Sequence, residues 1–198
     1  MKESAKRVTG IQARDPDVLE RIAEECLPGL LRAARASGLD AARADDTVQE
    51  VFLTFLRRAE EFDGRARVST WLFGILFRKL CETRRTLVAE SKLDDIDTLV
   101  DARFNPNGRW ARPPQGPVAE LGREEVRLAL ADCLKQVPER QRLAFHLREV
   151  EDLSTEEVCK VLEVSSNNLG VLLYRSRNRL RECLEGKGFQ GGGDADLS

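Results

Sequence analysis

Apolar residues recur every three or four positions in nearly every segment of this 198-residue chain, and this spacing restricts the fold to helices. Steps of three or four keep apolar side chains on one face of an α-helix, whereas a half-buried strand needs strict alternation. No such alternation survives in the sequence, and the helical pattern stops between residues 91 and 122. The sequence therefore predicts an all-α protein with two small helical domains.

The first domain is predicted to span residues 14–90, with helices over residues 16–36, 45–61 and 69–86. The Pro28-Gly29 pair lies inside the first helix and should kink or split it, because proline removes a backbone donor. Asp45 or Asp46 suits the N-cap of the second helix, and Ser69 suits that of the third.

Residues 91–122 are rich in aspartate, proline and glycine, which predicts a flexible linker. Its aspartates, Asp94 to Asp101, allow a metal site or an acidic solvated tether, and the composition favours the tether. The second domain is predicted over residues 123–186, with a new helix starting at Pro138. We expect the glycine-rich tail, residues 187–198, to be disordered.

The end of the second domain has the layout of a helix-turn-helix. A short helix over residues 154–162 opens with the spacing of a capping box, and a three-residue break separates it from a helix over residues 166–184. Such a second helix presents polar residues to DNA bases and phosphates. The alternative is an ordinary helical hairpin with a solvated arginine face. The polar and cationic residues of this helix are Asn167, Asn168, Tyr174, Arg175, Arg177, Arg179 and Arg181.

Basic and aromatic residues are interleaved over residues 64–86 of the first domain. Cations beside rings suit single-stranded nucleic acid, because charge follows the backbone and rings stack on bases. The alternative, which spacing alone favours, places the rings in the core and the arginines at a solvated helix end. The residues concerned are Arg65, Arg67, Trp71, Phe73, Phe77, Arg78, Lys79, Arg84 and Arg85.

Composition limits the classes of protein to which the chain could belong. The net charge of −2 does not by itself indicate a nucleic-acid partner. No run of about 18 apolar residues is present, and residues 1–11 lack the apolar core of a signal peptide, so we expect a cytoplasmic protein. With one histidine and no C-x-x-C pair, we expect neither a metal site nor a cofactor. The five scattered cysteines, expected to be reduced thiols, are Cys26, Cys81, Cys133, Cys159 and Cys183.

Taken together, the motifs resemble the extracytoplasmic-function (ECF) group of sigma-70-family sigma factors over residues 14–186. Those in the first domain are DDTVQEVFL at 45–53, FDGRA at 62–66 and STWL at 69–72. Those in the second domain are VPERQ at 137–141, LREVE at 147–151, LSTEE at 153–157 and RSR at 175–177.

The resemblance implies a transcription initiation factor that binds RNA polymerase core and promoter DNA, with each site on a different helix. The clamp helices of the polymerase beta-prime subunit would be bound by Asp45, Asp46, Gln49, Glu50 and Phe52. The −10 element would be recognised and melted, with a flipped base near the loop, by Arg65, Arg67, Val68, Trp71, Arg78 and Lys79. The −35 element would be read by Arg148, Ser166, Asn167, Asn168, Tyr174, Arg175 and Arg177.

The chain departs from relatives in two places. Relatives usually carry asparagine where Arg78 stands, and often basic or hydroxyl residues over residues 170–172. The −35 readout is therefore expected to differ and to depend more on Ser166, Asn167 and Asn168. The resemblance also implies control by an anti-sigma factor, and the stretch Phe104–Pro114 resembles that of ECF factors paired with small zinc-binding anti-sigma proteins.

Two other classes of protein, a free-standing DNA-binding regulator and a helical enzyme, fit the sequence less well than a sigma factor. A free-standing helix-turn-helix regulator would dimerise on palindromic sites, but it would not need the motif set over residues 45–72. A helical enzyme is not expected, because the sequence has no phosphate-binding glycine loop and no nucleophile motif.

Overall fold

The protein is described by a computed structural model over residues 2–88 and 123–189. Within these ranges the structure has only helices and their connections, which confirms the predicted all-α fold. No helix in these ranges has the length and apolar character needed to cross a membrane. The helices are α1 (Lys2–Gln12), α2 (Pro16–Ala36), α3 (Ala41–Arg57), a 3-10 turn (Ala59–Glu61), α4 (Val68–Val88), α5 (Arg123–Gln136), α6 (Glu139–Glu149), α7 (Thr155–Leu162) and α8 (Ser166–Gly186).

Helix α2 runs unbroken through Pro28, so the predicted split is wrong. Pro28 lies on the exposed side of the helix. The opposite side is buried before and after the proline, with Ile22 on one side of it and Leu30 on the other almost inaccessible to solvent. Burial of this continuous apolar face offsets the lost backbone hydrogen bond and keeps the helix in one piece.

Two helices begin earlier than the sequence predicted. Helix α3 begins one turn before the expected position, because Asp40 rather than Asp45 or Asp46 caps it and accepts a 2.9 Å hydrogen bond from the Arg43 N–H. Helix α4 begins at Val68, so Ser69 lies in its first turn and is not its N-cap. Both early starts bring a further buried apolar residue into the helix.

Helix α1 was not predicted, because its sequence is mostly polar. It packs on α2 through Gly10, where an added Cβ would lie 2.7 Å from a methyl group of Val18. Ile11 is completely buried, and the Gln12 side chain donates a 2.9 Å hydrogen bond to the carbonyl oxygen of Phe62. The helix therefore covers the loop that follows α3.

The two halves of the chain share one hydrophobic core. Leu143 and Leu147 of α6, together with Val158 of α7, belong to the same buried cluster as residues of α2, α3 and α4. Helix α7 packs on α4, and α6 packs on α2. The predicted linker and most of the predicted tail lie outside the described residues, but the domains that they flank are in direct contact.

A second, smaller cluster joins α5 to the C-terminal part of α8. Its buried members are Cys133, Val137 and Leu180. Cys133 and Cys183 form a disulfide here, so the expectation that every cysteine is a reduced thiol is wrong for this pair. Spacing could not have shown it, because the two cysteines are 50 residues apart in sequence.

Candidate nucleic-acid interface

Helices α7 and α8 form the predicted helix-turn-helix. The capping box is confirmed: Ser154 N donates to Glu157 Oε2 at 2.9 Å, and Glu157 N donates to the Ser154 hydroxyl at 3.3 Å. Glu163 ends α7 in the left-handed conformation, with φ of 53°, and Ser165 then caps α8. The turn is therefore held by caps on both sides, which fixes the start of α8 relative to α7.

Six of the seven predicted −35 residues fall into two groups along α8, while Arg148 lies on α6. Ser166, Asn167 and Asn168 are exposed at its N-terminal end, while Leu169 behind them is buried. A second group about two turns further on is half-buried. The exposed end is the part of α8 that a DNA groove could reach without rearrangement. The half-buried group consists of Tyr174, Arg175 and Arg177.

Several predicted arginines of this half are engaged within the protein. Arg177 pairs with Glu149 of α6. Arg148 donates to the carbonyl oxygen of Leu153 at 3.2 Å, and Arg175 Nε is buried without a hydrogen-bond partner among the described residues. The Arg177–Glu149 pair therefore joins α8 to α6 in this state, whereas Arg148 contacts the segment that leads into α7.

The loop between α3 and α4 carries the other predicted DNA contacts. Gly64, with φ of 72°, supplies the left-handed turn, which glycine adopts without strain. A side chain at this position would also meet Val8 of α1 at 2.6 Å. Arg65 is 89% exposed, and its guanidinium pairs with Asp63 at 3.1 Å. Arg67 is also exposed.

The aromatic residues near this loop form part of the core, as the alternative interpretation of the sequence held. Trp71 packs against Phe55, with 5.5 Å between ring centroids, and against Phe62, with 5.2 Å. Phe73 is buried. Trp71 remains partly exposed, so its outer edge can also meet a ligand.

A cavity of about 390 Å³ opens beside the loop. It is lined by α1, by α2 and by the loop itself, with Val68 and Phe62 on its apolar wall and Arg7 and Glu25 at its rim. Val68 is buried, so it contributes to the wall and not to the outer surface. Arg78 is not among the lining residues. It lies ten residues beyond Val68 on α4, which is about 15 Å along the helix axis.

The predicted polymerase-binding residues lie together on α3. Asp45, Asp46 and Gln49 are exposed on one side of the helix, and Phe52 is half-buried among them. Glu50 is exposed and accepts a 2.8 Å hydrogen bond from Lys79 of α4. An acidic, exposed helix face of this kind complements a basic protein surface.

Glu157 joins the two halves of the protein. Its carboxylate accepts hydrogen bonds from Arg67 Nη2 at 2.6 Å and from the Thr70 hydroxyl at 2.8 Å, while it also caps α7. Its side chain is 17% exposed. The hydrogen bond from Arg67, helped by those from Ser154 and Thr70, lowers the pKa of Glu157 to about 2.

A second ionic contact lies between α2 and the end of α6. Arg32 forms two hydrogen bonds of 2.9 Å with Glu151, whose side chain is 9% exposed. His146 Nε2 lies 3.1 Å from the same carboxylate, and burial lowers the pKa of His146 although Glu151 opposes the shift. Gly29 permits this approach, because a Cβ there would lie 2.6 Å from Glu151 Oε2.

A third ionic contact involves a predicted −10 residue. Arg78 Nε donates to Glu163 Oε1 at 3.2 Å, so Arg78, like Arg67, faces the second half of the protein in this structure. Sequence reasoning did not find Thr70, Arg32 or Glu151. Thr70 and Glu151 lie within motifs that it recognised, but no periodicity or cap rule pairs residues so far apart in the chain.

The described residues contain no group of three or more histidine, cysteine or carboxylate side chains placed to hold a metal ion. The arrangement offers hydrogen-bond donors, acidic faces and exposed asparagines. This is chemistry for binding, and it is distributed over two helical halves.

Comparison with known proteins identifies both halves. Residues 22–87 match the family described as Sigma-70 region 2, and residues 127–180 match Sigma-70, region 4. A Haemophilus influenzae protein named "Probable RNA polymerase sigma factor" is 34% identical over 167 residues, covering 80% of this chain and 85% of that protein. The ECF RNA polymerase sigma-E factor of Escherichia coli K12 is 26% identical, covering 68% of this chain and 70% of that protein.

Solved structures share the fold. The sigma factor RpoE of Bartonella quintana, in a co-crystal with the anti-sigma factor NepR, has a TM-score of 0.62 at 20% identity, covering 84% of this chain and 96% of that one. CnrH, solved in complex with the cytosolic domain of CnrY, has a TM-score of 0.61 at 17% identity, covering 91% of this chain and 96% of that one.

The predicted resemblance is thus confirmed in both halves and in the right order. Members of this family are transcription initiation factors and not enzymes, and they direct RNA polymerase to particular promoters. The chain belongs to the sigma-70 family of RNA polymerase sigma factors, in its extracytoplasmic-function group.

Proposed function

We propose that the free protein is a closed form of the factor, which opens on RNA polymerase so that each half binds a separate promoter element. The half over residues 14–90 then binds polymerase and the −10 element, and the half over residues 123–186 binds the −35 element. The observation that carries this proposal is the double use of Arg67, which lies in the predicted −10 loop and is held by Glu157 of the helix-turn-helix. In the closed form Glu157 occupies the Nε and Nη2 donors of that guanidinium, which therefore cannot bind a phosphate.

Polymerase docks on the exposed face of α3. Its residues Asp45, Asp46, Gln49 and Glu50 offer acceptors to a basic partner surface, and Phe52 adds an apolar contact. This face lies on a different helix from the loop that Glu157 holds, so polymerase can bind it before the two halves separate.

The −10 element is bound as a single strand by the loop over residues 62–68. Arg65 and Arg67 hold phosphates, and Trp71 supplies a partly exposed ring for stacking. A base that leaves the strand enters the cavity walled by Val68, whose volume is about 390 Å³. Ligand pockets have volumes of this order. Further along α4, the strand continues past two more cations, Arg78 and Lys79.

The −35 element is read from the exposed start of α8. Ser166, Asn167 and Asn168 reach base edges in the major groove, and asparagine is suited to paired contacts with adenine. Phosphates at the edges of the groove are held by Arg148, Tyr174, Arg175 and Arg177, once the contacts of Arg148 and Arg177 within the second half rearrange.

An anti-sigma protein keeps the factor in the closed form. One similar solved structure is, by its own description, a sigma factor bound to an anti-sigma factor, and the stretch Phe104–Pro114 resembles that of factors with small zinc-binding partners. We place the complex in the cytoplasm, where polymerase acts. Co-purification from native cells, with and without oxidative or envelope stress, should recover such a partner, and its absence under every condition would count against this part of the proposal.

In vitro transcription tests the function directly. The full chain is added to core polymerase on fragmented genomic DNA, and start sites are mapped. We expect a defined set of promoters that share two elements. The variant Asn168→Ala should weaken recognition of the upstream element, and Asp46→Ala should weaken binding to core polymerase. The matched exposed change Glu156→Gln should do neither. Failure to initiate at any promoter would contradict the proposal.

A further inference from the structure

One covalent link closes a loop around the whole helix-turn-helix. Cys133 of α5 and Cys183 of α8 are bonded, with 5.7 Å between their Cα atoms and 50 residues between them in sequence. The enclosed segment contains α6, α7 and nearly all of α8. The state of this one bond therefore acts on the complete second half of the protein.

The two cysteines differ in their exposure to solvent. Cys133 is 1% exposed within the small cluster that includes Val137 and Leu180, whereas Cys183 is half-buried at its edge. An ion pair of 2.7 Å between Asp132 and Lys187 joins the same two helices beside the bond. A small thiol or disulfide can therefore reach Cys183, while Cys133 stays close enough to react with it in a second step.

We propose that Cys133 and Cys183 are a site of reversible oxidative modification, with a low-molecular-weight disulfide such as oxidised glutathione as the reactant. Proteins that work with RNA polymerase meet a reducing interior, where disulfides are rare and those that form are usually transient or redox-sensing. A bonded pair with one partly exposed cysteine fits a redox-sensing role better than a permanent structural one.

The chemistry proceeds in two exchange steps. The Cys183 thiolate attacks one sulfur of the glutathione disulfide, which gives a mixed disulfide and releases one glutathione thiolate. The Cys133 thiolate then attacks the Cys183 sulfur and displaces the second glutathione thiolate. The protein loses two electrons and two protons in total, and the reactant is reduced to two thiols. Excess reduced glutathione drives the same steps backwards.

The remaining cysteines provide internal controls. Burial raises the pKa of Cys26 to about 11, so it stays a protonated, unreactive thiol. Cys81 and Cys159 are half-buried and take part in no disulfide. Any general effect of an oxidant on the chain should therefore appear at Cys81 and Cys159 as well, whereas the proposed modification is confined to the bonded pair.

The bond changes the stability of the helix-turn-helix as a unit. Closing the loop of 50 residues reduces the freedom of the unfolded segment. Closing this loop favours the folded state by a factor of up to about a thousand. The small cluster and the Asp132–Lys187 pair remain when the bond opens, so the reduced form folds but opens more often. Oxidation thus strengthens this half of the factor.

Alkylation across a glutathione redox series tests the proposal on the full chain. At each ratio of oxidised to reduced glutathione, free thiols are trapped after denaturation and located by peptide mass spectrometry. We expect Cys133 and Cys183 to lose alkylation together in one two-electron transition, while Cys26, Cys81 and Cys159 stay alkylated. Hydrogen exchange in α5 to α8 should slow on oxidation.

Variants separate the bond from other effects. The double variant Cys133→Ala/Cys183→Ala should show the hydrogen exchange of the reduced wild type at every glutathione ratio. The double variant Cys81→Ala/Cys159→Ala should keep the full change in hydrogen exchange on oxidation. The proposal would be overturned if both thiols stayed alkylatable at the most oxidising ratio, or if excess reduced glutathione never opened the bond. Identical exchange of the oxidised and reduced wild-type chains would overturn it as well, and this comparison needs no variant to fold.

Discussion

Replacing Glu157 by glutamine should weaken the contact between the two halves without unfolding α7. Glutamine serves at the third position of a capping box as glutamate does, so the cap on Ser154 N–H is kept. The amide has no charge for Arg67, however, and the paired hydrogen bonds from that guanidinium are lost or weakened. The variant therefore acts on the carboxylate oxygen that Arg67 and Thr70 share, while the cap is kept.

The magnitude follows from the pKa of Glu157, which falls from 4.5 to about 2. This fall sets a ceiling of roughly 3 kcal/mol on what the folded protein contributes to the ionised carboxylate. The Arg67 side chain is 58% exposed. Solvent therefore screens part of the attraction. With the cap kept, we expect the Arg67–Glu157 interaction to contribute about 1–2 kcal/mol, a factor of roughly 5–30 in the balance between closed and open forms.

A double-mutant cycle measures this interaction. Urea unfolding is followed for the wild type, Glu157→Gln, Arg67→Gln and the double variant, and the coupling energy is taken from the four free energies of unfolding. The matched cycle with the neighbouring exposed residue Glu156 should give a coupling within about 0.3 kcal/mol of zero. A value as small as that for Glu157 would refute the assignment of this ion pair as a contact that holds the halves together.

Four further outcomes follow from the same contacts. Lowering the pH from 5 towards 3 should destabilise the wild type more than Glu157→Gln in urea unfolding, because the lowered pKa gives stability that is present above pH 4.5 and lost as the pH falls towards 2. Gly29→Ala should lower the Arg32–Glu151 coupling energy in a double-mutant cycle, since the new Cβ would lie 2.6 Å from Glu151 Oε2 and displace this side chain from Arg32. Leu147→Ala should cost about 2–5 kcal/mol in unfolding free energy. It should also speed hydrogen exchange in α2 as well as α8, because the residue belongs to the shared core. Ser154→Ala should lower the free energy of unfolding by about 0.5–2 kcal/mol through loss of the cap, as measured by thermal unfolding.

Local rules predicted most of the helices. Apolar spacing gave α2 and the two helices of the helix-turn-helix nearly to the residue, and the capping box at Ser154 was confirmed. The rules failed where tertiary packing overrides local preference. Burial around Pro28 keeps α2 in one piece, and Asp40 caps α3 although Asp45 and Asp46 suit the same role.

The candidate site was less predictable than the fold. Family motifs identified the helices that carry it, but the closed arrangement depends on pairs such as Arg32–Glu151 and Arg67–Glu157, whose partners lie far apart in the chain. Neither periodicity nor caps contain information on such pairs, because nothing in the sequence around one partner points to the other. The Cys133–Cys183 bond was not predicted for the same reason.

Footprinting of one mapped promoter, with and without core polymerase, shows whether the two halves bind separate promoter elements only on the polymerase. Hydroxyl-radical protection and permanganate reactivity are measured for the wild type, Asn168→Ala and Arg65→Ala. We expect no protection by the free chain. When polymerase is present, we expect two separate protected stretches, with unpaired thymines in the downstream one. Asn168→Ala should reduce protection of the upstream stretch only, and Arg65→Ala should reduce protection of the downstream stretch only. A single palindromic footprint made by the chain without polymerase would contradict binding of two promoter elements on the polymerase.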